Sequence, residues 1–259
     1  MSGLDAGGHT IAGVDGCKAG WIGVRLAPGG EPAVAVFASF TSLIDSLPGD
    51  AVVAVDMPIG LPEITRKGGR GPESLVRPLL GQRQSSVFSI PSRAAVYAAV
   101  DAFTTIERWY AAYRKASAVA RTTSDPPRSV SIQAFGIFPK IREIDALLLA
   151  RPDLRRRVIE SHPEVAFWRL NREQAMLLPK KVKGQVNPAG MAERRSLLCS
   201  LGLPHDFLAS APPRGAAADD LLDAAALLFI AARHARGEAR PFPDPPGVDG
   251  HGVPIAIWV

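Results

Sequence analysis

The sequence predicts an α/β protein built on an antiparallel strand meander, with a mainly helical insertion and a long apolar helix near its end. Three observations carry this. Short runs rich in Val, Ile and aromatic residues fill the first 60 positions, separated by Gly- and Pro-containing connectors too short for parallel crossovers. The run AVVAVD (51–56) is apolar without alternation, the pattern of a strand covered on both faces. Residues 220–236 carry DLLDAAALLFIAARHAR, a helix apolar on nearly every side after its first turn.

The elements follow in order. IAGVD (11–15), WIGVRL (21–26) and AVAVFA (33–38) read as three strands. FTSLIDSL (40–47) reads as a short helix, because Phe40, Leu43, Ile44 and Leu47 fall on one face. AVVAVD is the fourth strand, stopped by Pro58 and Pro62. From 63 to 155 the pattern turns helical, with a Gly- and Arg-containing loop (66–71), helices near 105–120 and 140–149, and a polar loop (121–129). RRVIESHPEV (156–165) contains a fifth short strand. A basic stretch, PKKVKGQVNPAG, leads into a helix near 191–201, and the late helix stops at Gly237. A Pro-rich segment (241–246) precedes a terminal strand, PIAIWV. The 259 residues, 47% hydrophobic and 21% charged, match a folded chain, read here as one domain spanning 1–259 with an insertion at about 63–155.

Several classes are disfavoured. No apolar run approaches a membrane span, and the first ten residues have neither the basic nor the apolar region of a secretory signal. Cys17 and Cys199 are too few for a disulfide framework or a four-ligand zinc site, so a reducing cytoplasm is expected. A net charge of +5, spread over this length, is compatible with many partners.

The chemical signal lies in where the carboxylates fall. Asp15 ends the first strand, Asp56 ends the fourth, Glu160 lies in or just after the fifth, and Asp219, Asp220 and Asp223 open the last helix. Acids at strand ends project over one edge of a sheet, and residues at i and i+3 share a helix face. Carboxylates that converge raise one another's pKa unless a cation sits among them, and all-oxygen sites suit Mg²⁺ or Mn²⁺. Each acid also has an ordinary reading. Asp15-Gly16 and Asp56-Met57-Pro58 are turn formers, and Asp219 or Asp220 is a plain helix cap. The order of the elements favours chemistry, as does the apolar run that buries the start of the last helix with its acids.

The motifs GVDGCKAGW (13–21), VAVDMPIGLPE (53–63), SSVFSIPSR (85–93), QAFGIFPKIREID (133–145), ESHPEVAFW (160–168), KKVKGQVNPAGMAERR (180–195) and DDLLDAAAL (219–227) resemble the domain-of-unknown-function 429 family. That family is described as predicted nucleases with an RNase H-like fold. The resemblance implies a mixed five-stranded sheet with flanking helices and acids on the first strand, after the fourth and on a late helix. Asp15, Asp56 and the pair Asp220 and Asp223 match those places, whereas Glu160 has no secure counterpart. It also implies Mg²⁺ or Mn²⁺ ions held by Asp15, Asp56, Asp220 and Asp223, bridging the acids and a scissile phosphate.

A nuclease must also hold phosphates. Lys18, Arg93, Lys140, Lys180, Lys181 and Lys183 are the candidates, with hydroxyls from Ser85, Ser86 and Ser89. KKVKGQ has an equal reading as a solvated loop. His162, beside Glu160 and Glu164, is a candidate general acid or a buried structural histidine, and Cys17 is better read as a packed thiol. The expected partner is nucleic acid or a nucleotide phosphate, and an exposed edge on PIAIWV would permit a homo-oligomer.

Two rival classes stand beside the nuclease. One is an ATPase-like nucleotide binder, which usually carries two copies of such a domain; here there is one, and neither GxxxxGK[ST] nor GxGxxG occurs. The other is a non-catalytic binding module whose acids hold a structural ion.

Overall fold

The computed structural model of the protein describes residues 4–100 and 104–259. The meander is β1 (Ile11–Cys17), β2 (Gly20–Leu26) and β3 (Ala33–Phe37), paired antiparallel throughout. Helix α1 (Phe40–Asp45), capped by the Ser39 hydroxyl, returns the chain to β4 (Val52–Val55), which lies parallel to β1. Much later, β7 (Val158–Glu160) adds parallel to β4. The sheet order is β3-β2-β1-β4-β7, the mixed five-stranded sheet expected and consistent with an RNase H-like arrangement.

Between β4 and β7 the described residues form two two-residue strands, β5 (Thr65–Arg66) and β6 (Ser124–Asp125), two 3-10 segments (Arg77–Ser86 and Pro152–Arg156) and five α-helices. These are α2 (Pro72–Val76), α3 (Arg93–Val96), α4 (Ile106–Thr122), α5 (Ile132–Gly136) and α6 (Phe138–Ala150). The insertion does not stand apart from the sheet. Phe135, Phe138, Ile141 and Ile144 pack with Ala12, Val14, Val53 and Val55 in one buried cluster, so it covers one sheet face.

The other face carries α7 (Pro163–Leu170), α8 (Pro188–Ser200), α9 (His205–Ala209) and α10 (Ala218–Ala235). Here Ile11, Ile22, Val52, Ala54 and Ile159 meet Leu221, Leu227 and Leu228 of α10. KKVKGQV folds as a hairpin of β8 (Lys181–Val182) and β9 (Gln185–Val186). The last hairpin pairs β10 (Pro241–Val248) with β11 (Pro254–Trp258).

Two local expectations need correction. The Pro-rich segment is itself a strand, tolerated because β10 borders a two-stranded ladder whose register breaks between Phe242 and Gly247. The terminal strand expected to offer an exposed edge is paired with β10, and Ile255, Ala256 and Ile257 are buried. Among the described residues, no helix is long and apolar enough to cross a membrane.

Candidate active site

The pleat of the sheet decides which acids can meet. Successive side chains alternate between faces, so Asp15 follows Ile11 and Gly13 onto the α10 face. Asp56 continues the parity of Val52 and Ala54 onto that face, one residue past the end of β4. Its amide donates to Val14 O at 2.9 Å, which carries the register of β1 and β4 to the acids. Asp223 descends from α10, one helical turn beyond the helix start.

Gly13 lets the helix come this close. A Cβ there would overlap the Ala224 carbonyl and the Leu228 amide nitrogen, and it would lie 2.7 Å from Leu227 C. Backbone therefore rests on backbone, and Asp223 is brought to the level of Asp15. No hydrophobic-pattern reading singles out Gly13, because the missing side chain is the feature.

Burial and mutual repulsion set the protonation of this group. Burial first, then the charges of Asp56 and Asp223, push the Asp15 carboxyl well above the usual carboxylate range. Asp56 is pushed up to about 7, chiefly by burial, with Lys180 opposing. Asp223 rises to about 6 for the same reason, again opposed by Lys180. The Lys180 ammonium donates to Asp223 Oδ2, while Asp223 Oδ1 is buried with no partner. Burial alone would depress Lys180, but Asp223 beside it raises it instead.

Lys180 is held in place from behind by α8. Asn187 donates its amide to Lys180 O at 2.7 Å and its side chain to Pro179 O at 2.8 Å. Glu193 accepts from the amides of Leu177 and Leu178 at 2.9 and 3.0 Å. Arg194, wholly buried, donates to Leu178 O at 2.8 Å and, through one terminal nitrogen, to both carboxylate oxygens of Glu164 at 2.7 and 2.8 Å. The residues read as a basic loop are thus docked at their base. Lys180 and Lys181 reach inward to Asp223 and, at 2.6 Å, Asp219, while Lys183 lies exposed in the tight turn.

The remaining candidates separate. Asp220 caps α10, accepting from the Ala217 amide at 2.8 Å, and its charge is a minor influence on Asp15. Glu160 shares the parity of Val158 and turns toward the insertion, and with Arg70 and Glu73 it lines the same cavity as Asp15 and Asp56. There it accepts from Arg70 at 2.6 and 3.0 Å and from the Ile59 amide at 2.7 Å. Arg70 also binds Glu73 at 2.8 Å with its side chain wholly buried, a clamp not evident in a loop of Gly and Arg. Arg93 is committed to Asp145 and Asp249, the latter at 2.9 Å. Lys18 is exposed in the β1–β2 turn.

Lys140 does reach the site. Its stem packs on Gly16, its ammonium donates to Gly20 O, and it sits 4.4 Å from the Trp21 ring centre. A cavity of about 190 Å³ opens beside Asp15 and Asp56, lined further by Lys140, Ser86, His162 and Phe88. His162 Nδ1 accepts from the Glu164 amide at 3.2 Å, so Nε2, 3.3 Å from Ser86 O, carries the proton in the neutral ring.

These residues bear on a divalent cation as follows. Among the described residues, no group of three or more Asp, Glu, His or Cys side chains is placed so that it could hold a metal ion. Lys180 stands among the aspartates instead. Yet the donors are all hard carboxylate oxygens, and one of them is orphaned. Three aspartates against one ammonium also leave two negative charges when all are ionised. In donor type and charge the group fits Mg²⁺ or Mn²⁺.

Residues 13–247 match the family described as "Protein of unknown function (DUF429)". The chain belongs to this family. No curated protein and no solved structure is matched by the chain. The family span runs from Gly13, under α10, to Gly247 in β10, and so takes in every residue of the aspartate group and its supports.

Proposed function

We propose that this DUF429 protein is a divalent-metal-dependent hydrolase acting on phosphodiester bonds. One observation carries the reading: buried Asp15 and Asp223 and half-buried Asp56, from three separate elements, lie within electrostatic reach of one another, and Lys180 bonds one oxygen of Asp223 while the other is unpartnered. Burying carboxylates without compensation is costly, so such a group points to a cation that completes it.

Asp15, Asp56 and Asp223 would hold Mg²⁺ or Mn²⁺, and the bound ion supplies polarisation of a phosphoryl oxygen and a more acidic water. The chain's own residues do the rest. Lys140 and Ser86 line the cavity beside the acids, and the Lys140 ammonium would bind non-bridging phosphate oxygens. Met57, Phe88 and Ile137 form apolar walls that limit water around the reacting group. Asp220 keeps the start of α10 ordered and so fixes the height of Asp223. Both cysteines are free, which supports a reducing compartment such as the cytoplasm.

The test is cleavage of labelled single-stranded and duplex DNA and RNA with Mn²⁺, with Mg²⁺ and in EDTA. Cleavage that needs the metal and drops at least about 10²-fold in Asp15→Asn supports the reading. Cleavage that persists in EDTA, or at the unaltered rate in Asp15→Asn, refutes it.

A further inference from the structure

A second and larger cavity lies within the insertion. It encloses about 580 Å³, and Arg66, Arg77 and Arg128 line it together with serine hydroxyls, Ser85, Ser124 and Ser131 among them. No carboxylate among the described residues lines it. Arg77 spends three N–H groups on neutral acceptors: Val87 O at 2.9 Å, Gly68 O at 2.8 Å and Ser89 Oγ at 2.8 Å. Two N–H groups of its guanidinium remain to be used. No salt bridge joins Arg77 or Arg128 to a carboxylate among the described residues. Arg66 has Asp125 at 3.7 Å, but both side chains are largely in solvent, where such a pair is worth little. Burial depresses Arg77, the charge of Glu73 opposes this, and the like charge of Arg128 adds a smaller depression, which places the two guanidiniums within electrostatic reach of each other.

The position of this groove gives it meaning. Val87, Phe88 and Ile90 line both it and the 190 Å³ cavity beside Asp15 and Asp56. One short segment is therefore the common wall of an acidic site and a basic groove, and its half-buried aromatic ring faces both. A basic channel next to an aromatic side chain is the pattern that holds a single nucleic-acid strand, with phosphates on guanidiniums and hydroxyls and a base on the ring.

We infer that the insertion groove binds the phosphate backbone of a single-stranded nucleic acid and leads it over Phe88 to the aspartate site. The commitment to a strand rests on the hydrolase reading above; the phosphate chemistry rests on the groove itself. Spaces of this size on either side of one segment suit an extended single strand better than a paired one.

The test is binding in EDTA, where neither metal nor turnover enters. Anisotropy of a labelled single-stranded oligonucleotide of about twelve residues, a length within the usual site sizes, is measured against salt. The matching blunt duplex, a nucleoside monophosphate and inorganic phosphate serve as competitors. Arg66→Glu combined with Arg128→Glu should weaken strand binding about tenfold or more and lower the salt slope by about 2. Neither side chain supports the fold, and thermal melts check this. Arg25→Glu, a charge reversal on the exposed side of β2, should leave the slope unchanged. An unchanged slope in the double variant would overturn the inference, as would equal binding of the duplex. Competition by the monophosphate as effective as by the strand would also overturn it, by making the groove a mononucleotide pocket. Loss of metal-dependent cleavage with groove binding intact would strike the hydrolase reading alone, and the converse would strike the groove alone.

Discussion

Lys180 donates to one oxygen of Asp223 and leaves the other buried without a partner. The protein thus carries its own monovalent cation among three aspartates that together call for more positive charge. Lys180 is anchored through Asn187 and Arg194 rather than by its own side chain alone.

Replacing that ammonium should therefore be costly, and conditionally so. Lys180→Met leaves Asp223 buried and unpaired, a loss of about 3–5 kcal/mol for a broken buried pair. In EDTA the melting temperature should fall by about 6 °C or more. Millimolar Mn²⁺ should restore a larger part of the loss in this variant than it adds to the unaltered protein. Equal Mn²⁺ shifts in the two would show that Lys180 and the metal do not share a site.

The contact between β1 and α10 gives a second expectation. Gly13→Ala sets a methyl group into the backbone of Ala224 and Leu228, which cannot yield without lifting the helix. The variant should lose more than about 3 kcal/mol or fail to accumulate folded. Gly16→Ala meets only the Lys140 stem, with Cδ at 2.9 Å, and a flexible side chain can move aside. Its denaturation midpoint should lie close to that of the unaltered chain. Similar losses in both would place the cost in the glycine backbone rather than in the packing.

The Arg194–Glu164 pair is a third case. Arg194→Met strands Glu164 in the interior and frees Leu178 O, so stability should drop by about 3–5 kcal/mol. Adding Glu164→Gln should recover a substantial part, because the stranded charge is gone. A double variant no better than the single would mean that the lost contacts of Arg194 outweigh the charge it neutralises. Denaturant unfolding of the two variants settles the comparison.

The histidines set a pH dependence of known sign. Burial lowers the pKa of His162 and of His234 from 6.5, so the unfolded chain takes up protons before the folded one does. Their contribution is complete above pH 6.5 and is lost as pH falls through the folded-state pKa values. The raised carboxyls of Asp15, Asp56 and Asp223 act in the opposite sense, so the His162 contribution is read as a difference: from pH 7 toward pH 5 the urea midpoint of His162→Gln should rise relative to that of the unaltered protein. An equal slope in that variant would remove His162 from the explanation.

Much of this was legible in the sequence, for physical reasons that differ by residue. The meander, the doubly buried β4 and the apolar α10 follow from hydrophobic pattern, which burial imposes directly. Asp15, Asp56 and Asp223 were found because strand ends and a first helical turn are where acids project together. Glu160 groups with them by its strand-end position, and it lines one cavity with Asp15 and Asp56, but its pairing with Arg70 is not readable from the strand pattern. Lys180 was legible as a charge but not as a counter-ion, because its place depends on Asn187 and Arg194 gripping the chain before it. Gly13 and Arg70 left no pattern to read, since close backbone approach and a buried clamp exist only after the chain has folded. β10 was hidden by its prolines, which a two-stranded edge tolerates.

The most direct measurement is calorimetric titration of chelator-treated protein with Mn²⁺, beside Asp15→Asn, Asp56→Asn, Asp223→Asn and Asp220→Asn. Binding should vanish or weaken at least about 10²-fold in the first three, as expected on losing a charged oxygen ligand. Asp220→Asn, which touches only the helix cap, should bind within about tenfold of the unaltered protein. No binding at millimolar Mn²⁺, or full binding in Asp15→Asn, would contradict a shared ion site on Asp15, Asp56 and Asp223.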